Sequence, residues 1–251
     1  MTDGPYRRAP MLDGRLSAAM ALAEDAQVFA DIGADHGRLS AVMLLGGARH
    51  ALVADVSAAA LEKARKRLHA LGLDSRATFA VADGLAALDA LKQPPDTVFV
   101  LGMGGETIRG ILRRGYARLG GAALILGAQT DLPMVRSTVC EVGYRIRREV
   151  IASAGGRDYV LMRCTPACAD EAVYTERECM LGPGLLLAPS PEWLRVLERR
   201  KRLLEQEITA MQTAGLEKDR ERLAMNRREL VYVAEQLCRM QESEAEGGDA
   251  P

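Results

Sequence analysis

Four short segments carry carboxylates and glycines at spacings suited to a nucleoside-bearing ligand: Asp31-Ile32-Gly33-Ala34-Asp35-His36-Gly37, Asp55-Val56, Asp83-Gly84 and Gly102-Met103-Gly104-Gly105. Gly33 and Gly37 let backbone approach a ligand closely, and the helix expected after them offers free amides to an anionic group. Asp55 follows Gly33 by twenty-two residues, the separation at which an acid accepts hydrogen bonds from a ribose diol. Asp83 is placed to accept from an adenine amino group. An adenosine-bearing cofactor follows, with Asp31, Gly33, Asp35, His36, Asp55, Val56, Asp83, Gly84, Gly102, Met103 and Gly104 as its expected contacts.

Asp35 decides between cofactors. A dinucleotide fingerprint G-x-G-x-x-G wants a second glycine there, and a carboxylate close to a pyrophosphate is electrostatically costly. S-adenosylmethionine (SAM) presents a sulfonium and an ammonium instead, so SAM is the expected cofactor. Asp35 then either ligates the methionine ammonium or acts on the methyl acceptor; His36 is either a proton acceptor or a hydrogen-bonded loop residue. Methyl transfer is an in-line displacement that needs alignment rather than a nucleophilic side chain. An aromatic-nitrogen acceptor further wants a carboxylate or carbonyl near its exocyclic amine, and Asp35 with the backbone of 102–105 suits that requirement.

The elements that must hold these residues alternate. Strand patterns at 28–32, 51–55, 77–81, 97–101, 123–126, 145–151 and 159–164 are separated by helical patterns at 16–22, 39–45, 58–71, after Asp83-Gly84, 107–119 and 133–142. Such alternation reads as α/β with a doubly wound sheet, in which ligands bind beyond the carboxyl ends of the strands. All four segments fall on those ends. Past Pro189-Ser190-Pro191 the sequence changes to long charged helices, with Leu194, Leu197, Lys201, Leu204, Ile208 and Met211 at heptad spacing. After a break at Gly215 the pattern resumes through Leu223, Asn226, Leu230, Val233, Leu237 and Met240. Two such helices form an antiparallel hairpin, with Lys201 and Asn226 as polar interruptions of each stripe. The expected division is 1–189, 190–241 and a disordered acidic tail at 242–251.

Composition narrows the class. The chain has 251 residues, 48% hydrophobic but only 4% aromatic, so stacking on many rings is not its mode of recognition. Five cysteines with no CxxC pair argue for free thiols, and no His follows at zinc-ligand spacing, so no metal is expected. No segment reaches the ~20 apolar residues of a bilayer span and the N-terminus lacks an apolar signal core, so the reading is a soluble, cytoplasmic protein without a membrane partner. Net charge is -1, yet residues 109–163 hold ten Arg and four acids. That excess is either a solvated, salt-bridged surface or a face for a polyanion.

The chain resembles the bacterial TrmK family, tRNA adenine-N1 methyltransferases that target adenine 22. The resemblance rests on Arg15-Leu16, DIGADHGRLS (31–40), ADG (82–84), LGMGGETI (101–108), Gln129, Tyr159 and LGPGLL (181–186), followed by the helical hairpin. It implies a Rossmann-like class I SAM-dependent methyltransferase domain, a catalytic Asp35, tRNA as partner and a coiled-coil-like hairpin that assists in binding it. Gly105, Arg109, Arg113, Gln129 and Tyr159 become the expected substrate contacts. Two departures stand out: Thr130-Asp131 replaces the family's Pro-Asn, and Ser40 replaces a Pro. Two other functions stay open on the residues alone, a SAM-dependent methyltransferase of a small molecule or protein and a non-catalytic module that senses SAM.

Overall fold

A computed structural model describes residues 8–23, 25–213 and 220–247. Seven strands form one sheet: β1 (Val28–Ile32), β2 (His50–Asp55), β3 (Ala77–Val81), β4 (Thr97–Met103), β5 (Ala123–Ala128), β6 (Tyr144–Ala154) and β7 (Arg157–Pro166). Their order is β3-β2-β1-β4-β5-β7-β6. The first five pair in parallel, whereas β7 runs antiparallel to both β5 and β6. Gly155 and Gly156, both at positive φ, make the two-residue turn between β6 and β7. Two consecutive residues at positive φ match the twist of the flanking strands, and only glycine adopts that backbone without strain.

Burial explains the composition of the central strands. In β2 the run Ala51 to Ala54 is at most 1% exposed, because helices cover both faces of a parallel sheet. Across the junction of β1 and β4, Phe29 and Phe99 meet edge to face at 5.8 Å, a geometry favoured by the ring quadrupole.

Among the described residues, five α-helices flank this sheet: α1 (Gly14–Ala21), α2 (Arg38–Leu45), α3 (Ala58–Ala70), α4 (Gly105–Gly115) and α5 (Leu132–Glu141). Asp13 caps α1 by accepting from the Leu16 amide at 2.9 Å, and Ser57 caps α3 through the Ala60 amide at 3.2 Å. The helix expected after Asp83 is a 3-10 segment, Gly84–Ala90, and the one expected to reach Leu119 ends as α4 at Gly115, continuing as a 3-10 turn. Glycine is required by packing at the start of each: a Cβ on Gly84 would lie 2.9 Å from the Ile111 side chain, and one on Gly115 2.5 Å from Leu85.

The chain divides into two compact units, 1–173 and 174–251. The second holds α6 (Glu176–Leu181), α7 (Pro183–Leu187), α8 (Pro191–Thr213) and α9 (Arg220–Gly247). The break therefore precedes the Pro-rich stretch at 189–191. The reason is local: α6 is tied to α9 by Arg228 on Glu176 at 2.9 Å and by Arg177 on Gln236 at 3.1 Å. Arg200 forks onto Glu229 at 2.6 and 2.7 Å, while Asn226 donates to Glu207 at 3.0 Å, so α8 and α9 run antiparallel. The expected interruption at Asn226 is a buried amide whose partner on α8 is Glu207, and the arginine of α8 that bonds across to α9 is Arg200, next to the expected Lys201. The expected break at Gly215 lies outside the described residues. α9 continues to Gly247, past the expected start of the tail, and 248–251 lie outside the described residues.

Among the described residues no helix is long and apolar enough to cross a membrane.

Candidate cofactor and active site

The strand order reverses between β1 and β4, the place where an open parallel sheet leaves a crevice at its carboxyl edge. A cavity of about 350 Å³ sits there, lined by Arg15, Leu16, Asp31, Gly33, Ala34, Asp35, His36, Arg38, Leu39, Leu101, Gly102 and Gln129. That volume lies in the range of small-molecule sites.

The loop from 33 to 37 is fixed at both ends. The amides of Gly33 and Ala34 both donate to the Ala54 carbonyl, at 2.8 and 3.0 Å. Gly33 has φ +74°, and a Cβ there would collide with the end of the Met103 side chain. Gly37, φ +63°, lies so close to α3 that a Cβ would be 2.9 Å from that of Ala64. Between them Asp35 holds φ +49°, the left-handed region that Asp tolerates better than most side chains. Its amide donates to Asp55 Oδ2 at 3.1 Å, and its carboxylate meets His36 Nδ1 at 2.6 Å. The Asp35 side chain is 71% exposed and open to a ligand, while His36 gains a partner that orients its ring.

Asp55 accepts from Asp35 with one oxygen and from the Ser57 amide with the other, at 2.8 Å. Each carboxylate oxygen keeps a further lone pair, so a diol can still bind. Val56 beside it is 69% exposed, and Val81, on the register-adjacent end of β3, is 59% exposed. These leave an apolar rim at the edge where the acids converge.

Asp31 is buried and accepts from the Ser40 hydroxyl at 2.6 Å, which ties β1 to the first turn of α2. This bond gives the Ser at position 40 a structural role. Burial raises the Asp31 carboxyl to about 6; the Ser40 bonds oppose the shift and the charge of Asp55 adds to it. A raised carboxyl favours the protonated fold, so its contribution is fullest below about pH 4 and is lost as pH rises through about 6. Asp31→Asn keeps an acceptor for Ser40 and abolishes the titration. Its stability relative to wild type is expected to improve by up to about 3 kcal/mol between pH 4 and 7 in urea unfolding; a difference that does not vary with pH contradicts this.

Of the expected contacts, Asp31, Gly33, Asp35, His36, Gly102 and Gln129 line the cavity. Asp55, Val56, Asp83, Gly84, Met103, Gly104, Gly105, Arg109, Arg113 and Tyr159 do not. Asp83 is engaged instead by Arg114, which bonds both its oxygens at 2.9 and 3.2 Å. Gly105 packs under the 129–131 loop, where a Cβ would lie 2.7 Å from the Thr130 carbonyl; the Gly105 amide donates to the Thr130 hydroxyl at 3.3 Å. Thr130 thus does local capping work at the first turn of α4. Arg15, Leu16, Ala34, Arg38, Leu39 and Leu101 complete the lining without having been expected in it. The first two come from α1, whose distance in sequence from the glycine loop hides the juxtaposition.

The arginine excess at 109–163 is largely neutralised in space. Arg109 faces Glu106, Arg113 Glu141, Arg114 Asp83, Arg118 Asp89 and Arg147 Glu171, while Arg136 and Glu149 form a buried pair at 2.9 Å. Arg145 and Arg163 donate to backbone carbonyls. Eight of the ten therefore have partners within the chain, and two of these, Arg136 and Arg145, are buried. Among the described residues no group of three or more His, Cys, Asp or Glu is arranged to hold a metal ion.

A family model described as a methyltransferase domain matches residues 12–162. Among solved structures, the B. subtilis tRNA (m1A22) methyltransferase TrmK superposes with a TM-score of 0.80 at 22% identity, covering 90% of this chain and 99% of that one. A Streptococcus agalactiae protein of the NADB-Rossmann superfamily gives 0.80 at 21% identity, covering 91% and 98%. M. capricolum TrmK in complex with S-adenosyl-homocysteine (SAH) gives 0.77 at 19%, covering 91% and 98%. At these identities the structural matches establish the fold. A comparison with curated protein sequences finds no match.

Proposed function

The chain belongs to the methyltransferase-domain family, and from that premise we propose that it is a cytoplasmic, SAM-dependent tRNA methyltransferase acting on N1 of adenine 22. The observation that carries the substrate is the extent of the likeness. The family model stops at residue 162, whereas the B. subtilis tRNA methyltransferase matches 90% of this chain and so extends into the helical second unit.

The site suits SAM. The cavity walls at Gly33 and Gly102 carry no side chain, Asp55 keeps free lone pairs for a ribose diol, and Val56 and Val81 offer apolar surface for an adenine. SAM supplies an electrophilic methyl group and leaves as SAH. Adenine N1 lies on the Watson-Crick edge, so the base must be unpaired or flipped out, at a cost of roughly a few kcal/mol. The exposed Asp35 carboxylate accepts from the N6 amine, which orients the base and offsets the positive charge that methylation places on the ring. His36 holds Asp35 in place, and the Asp35 amide, locked to Asp55, fixes the backbone from which the carboxylate projects. Gln129 lines the same cavity, and in this reading it meets the adenine.

Incubation with methyl-labelled SAM and unmodified bulk tRNA is expected to place label in tRNA. Label in protein or in small metabolites, with none in tRNA, contradicts the substrate class; binding of SAH without transfer to any of these points to the sensing module instead.

A further inference from the structure

Two arginines line the cavity, and they differ in how their charge is met. Arg38 donates to the Met11 carbonyl. Arg15 lies over the Tyr159 ring, 5.5 Å from its centroid. Its ion pair is a long one, Nε to Asp13 Oδ1 at 3.9 Å. That same oxygen already caps α1 by accepting from the Leu16 amide. The acids of the lining are otherwise engaged: Asp31, in β1, is buried and accepts from Ser40, and Asp35, on the 33–37 loop, meets His36. Arg15 is thus a cation held in place at the cavity by an aromatic face, with no close carboxylate of its own.

Gly102 explains how the guanidinium fits. With φ +75° and no side chain, it leaves room for an Arg15 Nη, which would stand 2.9 Å from a Cβ at that position. The motif glycine therefore serves the arginine as well as the cavity wall.

SAM brings one anionic group, the carboxylate of its methionine moiety, beside one ammonium. Resting on the SAM reading above, we propose that Arg15 anchors that carboxylate, with Tyr159 as its stacking support and Gly102 as its space. A guanidinium fork meets a carboxylate in two parallel hydrogen bonds, which gives orientation as well as affinity. Anchoring the methionine end fixes the sulfonium along the axis of attack. Tyr159 then acts through Arg15 rather than on the base.

The test compares two ligands on the full chain: SAH and its decarboxylated analogue, in which the carboxylate is replaced by hydrogen. Wild-type protein is expected to prefer SAH by about tenfold or more. Arg15→Met should bind the analogue within about threefold of wild type while its preference for SAH disappears. Unchanged analogue binding serves as the control for folding. Arg15→Lys, which keeps the charge but not the fork, should restore part of the preference, and Tyr159→Phe, which keeps the ring, all of it. A wild-type preference surviving in Arg15→Met overturns the proposal, as does loss of tRNA binding alone, which would assign Arg15 to the RNA. If wild-type protein binds neither ligand, the cofactor reading fails and the proposal with it, an outcome distinct from a surviving preference.

Discussion

Asp35→Asn is expected to lower kcat for tRNA methylation by about 10²- to 10³-fold while SAH affinity stays within about tenfold, or ~1.4 kcal/mol. Asn is the informative replacement because residue 35 sits at φ +49°, and Asn tolerates that backbone where Ala is strained. Removing the charge leaves the Asp35 amide free to donate to Asp55, so the cofactor loop keeps its shape. What is lost is the anionic acceptor beside the exocyclic amine, an interaction that strengthens as positive charge builds on the ring. Single-turnover kinetics separate the two effects. Wild-type turnover in Asp35→Asn removes the carboxylate from the chemistry, and a collapse of SAH affinity makes it a cofactor ligand instead. Asp35→Ala should be slower still and less stable, since it adds backbone strain of about 1 kcal/mol or more.

Truncation after Val173 should weaken tRNA binding by at least about tenfold while SAH affinity changes by less than about threefold. The first unit contains the whole sheet and all twelve lining residues of the cavity, so retained SAH binding also reports that it folds. Most arginines of 109–163 already bond acids or carbonyls, which moves the expected RNA contacts towards the helices of the second unit. There Arg199 and Arg202 are exposed on α8 and form no ion pair with a described residue. The Arg199→Gln/Arg202→Gln variant should lower the slope of log affinity against log salt by about 1 for each phosphate it no longer neutralises. Unchanged affinity in the truncated protein reassigns the second unit to another task.

The strands were legible because burial on both faces leaves runs such as Val28 to Ile32 and Thr97 to Leu101 with few polar residues. The glycine loop was legible because positive φ at Gly33, Gly37 and Gly102 restricts residue type. Other features depend on contacts between distant residues. Arg114 reaches Asp83 across thirty-one residues, and Arg118 reaches Asp89 across twenty-nine, so a charge count over one window overstated its positive excess. Arg15 enters the cavity from a helix that precedes the first strand, and although Arg15-Leu16 belongs to the family resemblance, neither the glycine nor the acid beside it points to a ligand. The reversed direction of β7 follows from the Gly155-Gly156 hairpin, a signal present in the sequence but outweighed by the preceding alternation. The compact units divide at 173, ahead of the change in composition at Pro189, because side-chain bonds tie α6 to α9, a link that composition does not display.

The central claim is methyl transfer from the Gly33 to Gly37 site to an adenine N1 of tRNA. Its most direct test is nucleoside mass spectrometry of tRNA methylated by the full chain, joined to reverse transcription, which halts at a base methylated on its Watson-Crick edge. The account predicts N1-methyladenosine at position 22, absent from the Asp35→Asn reaction. A different methylated nucleoside, or N1-methyladenosine formed equally well without the Asp35 carboxylate, contradicts it.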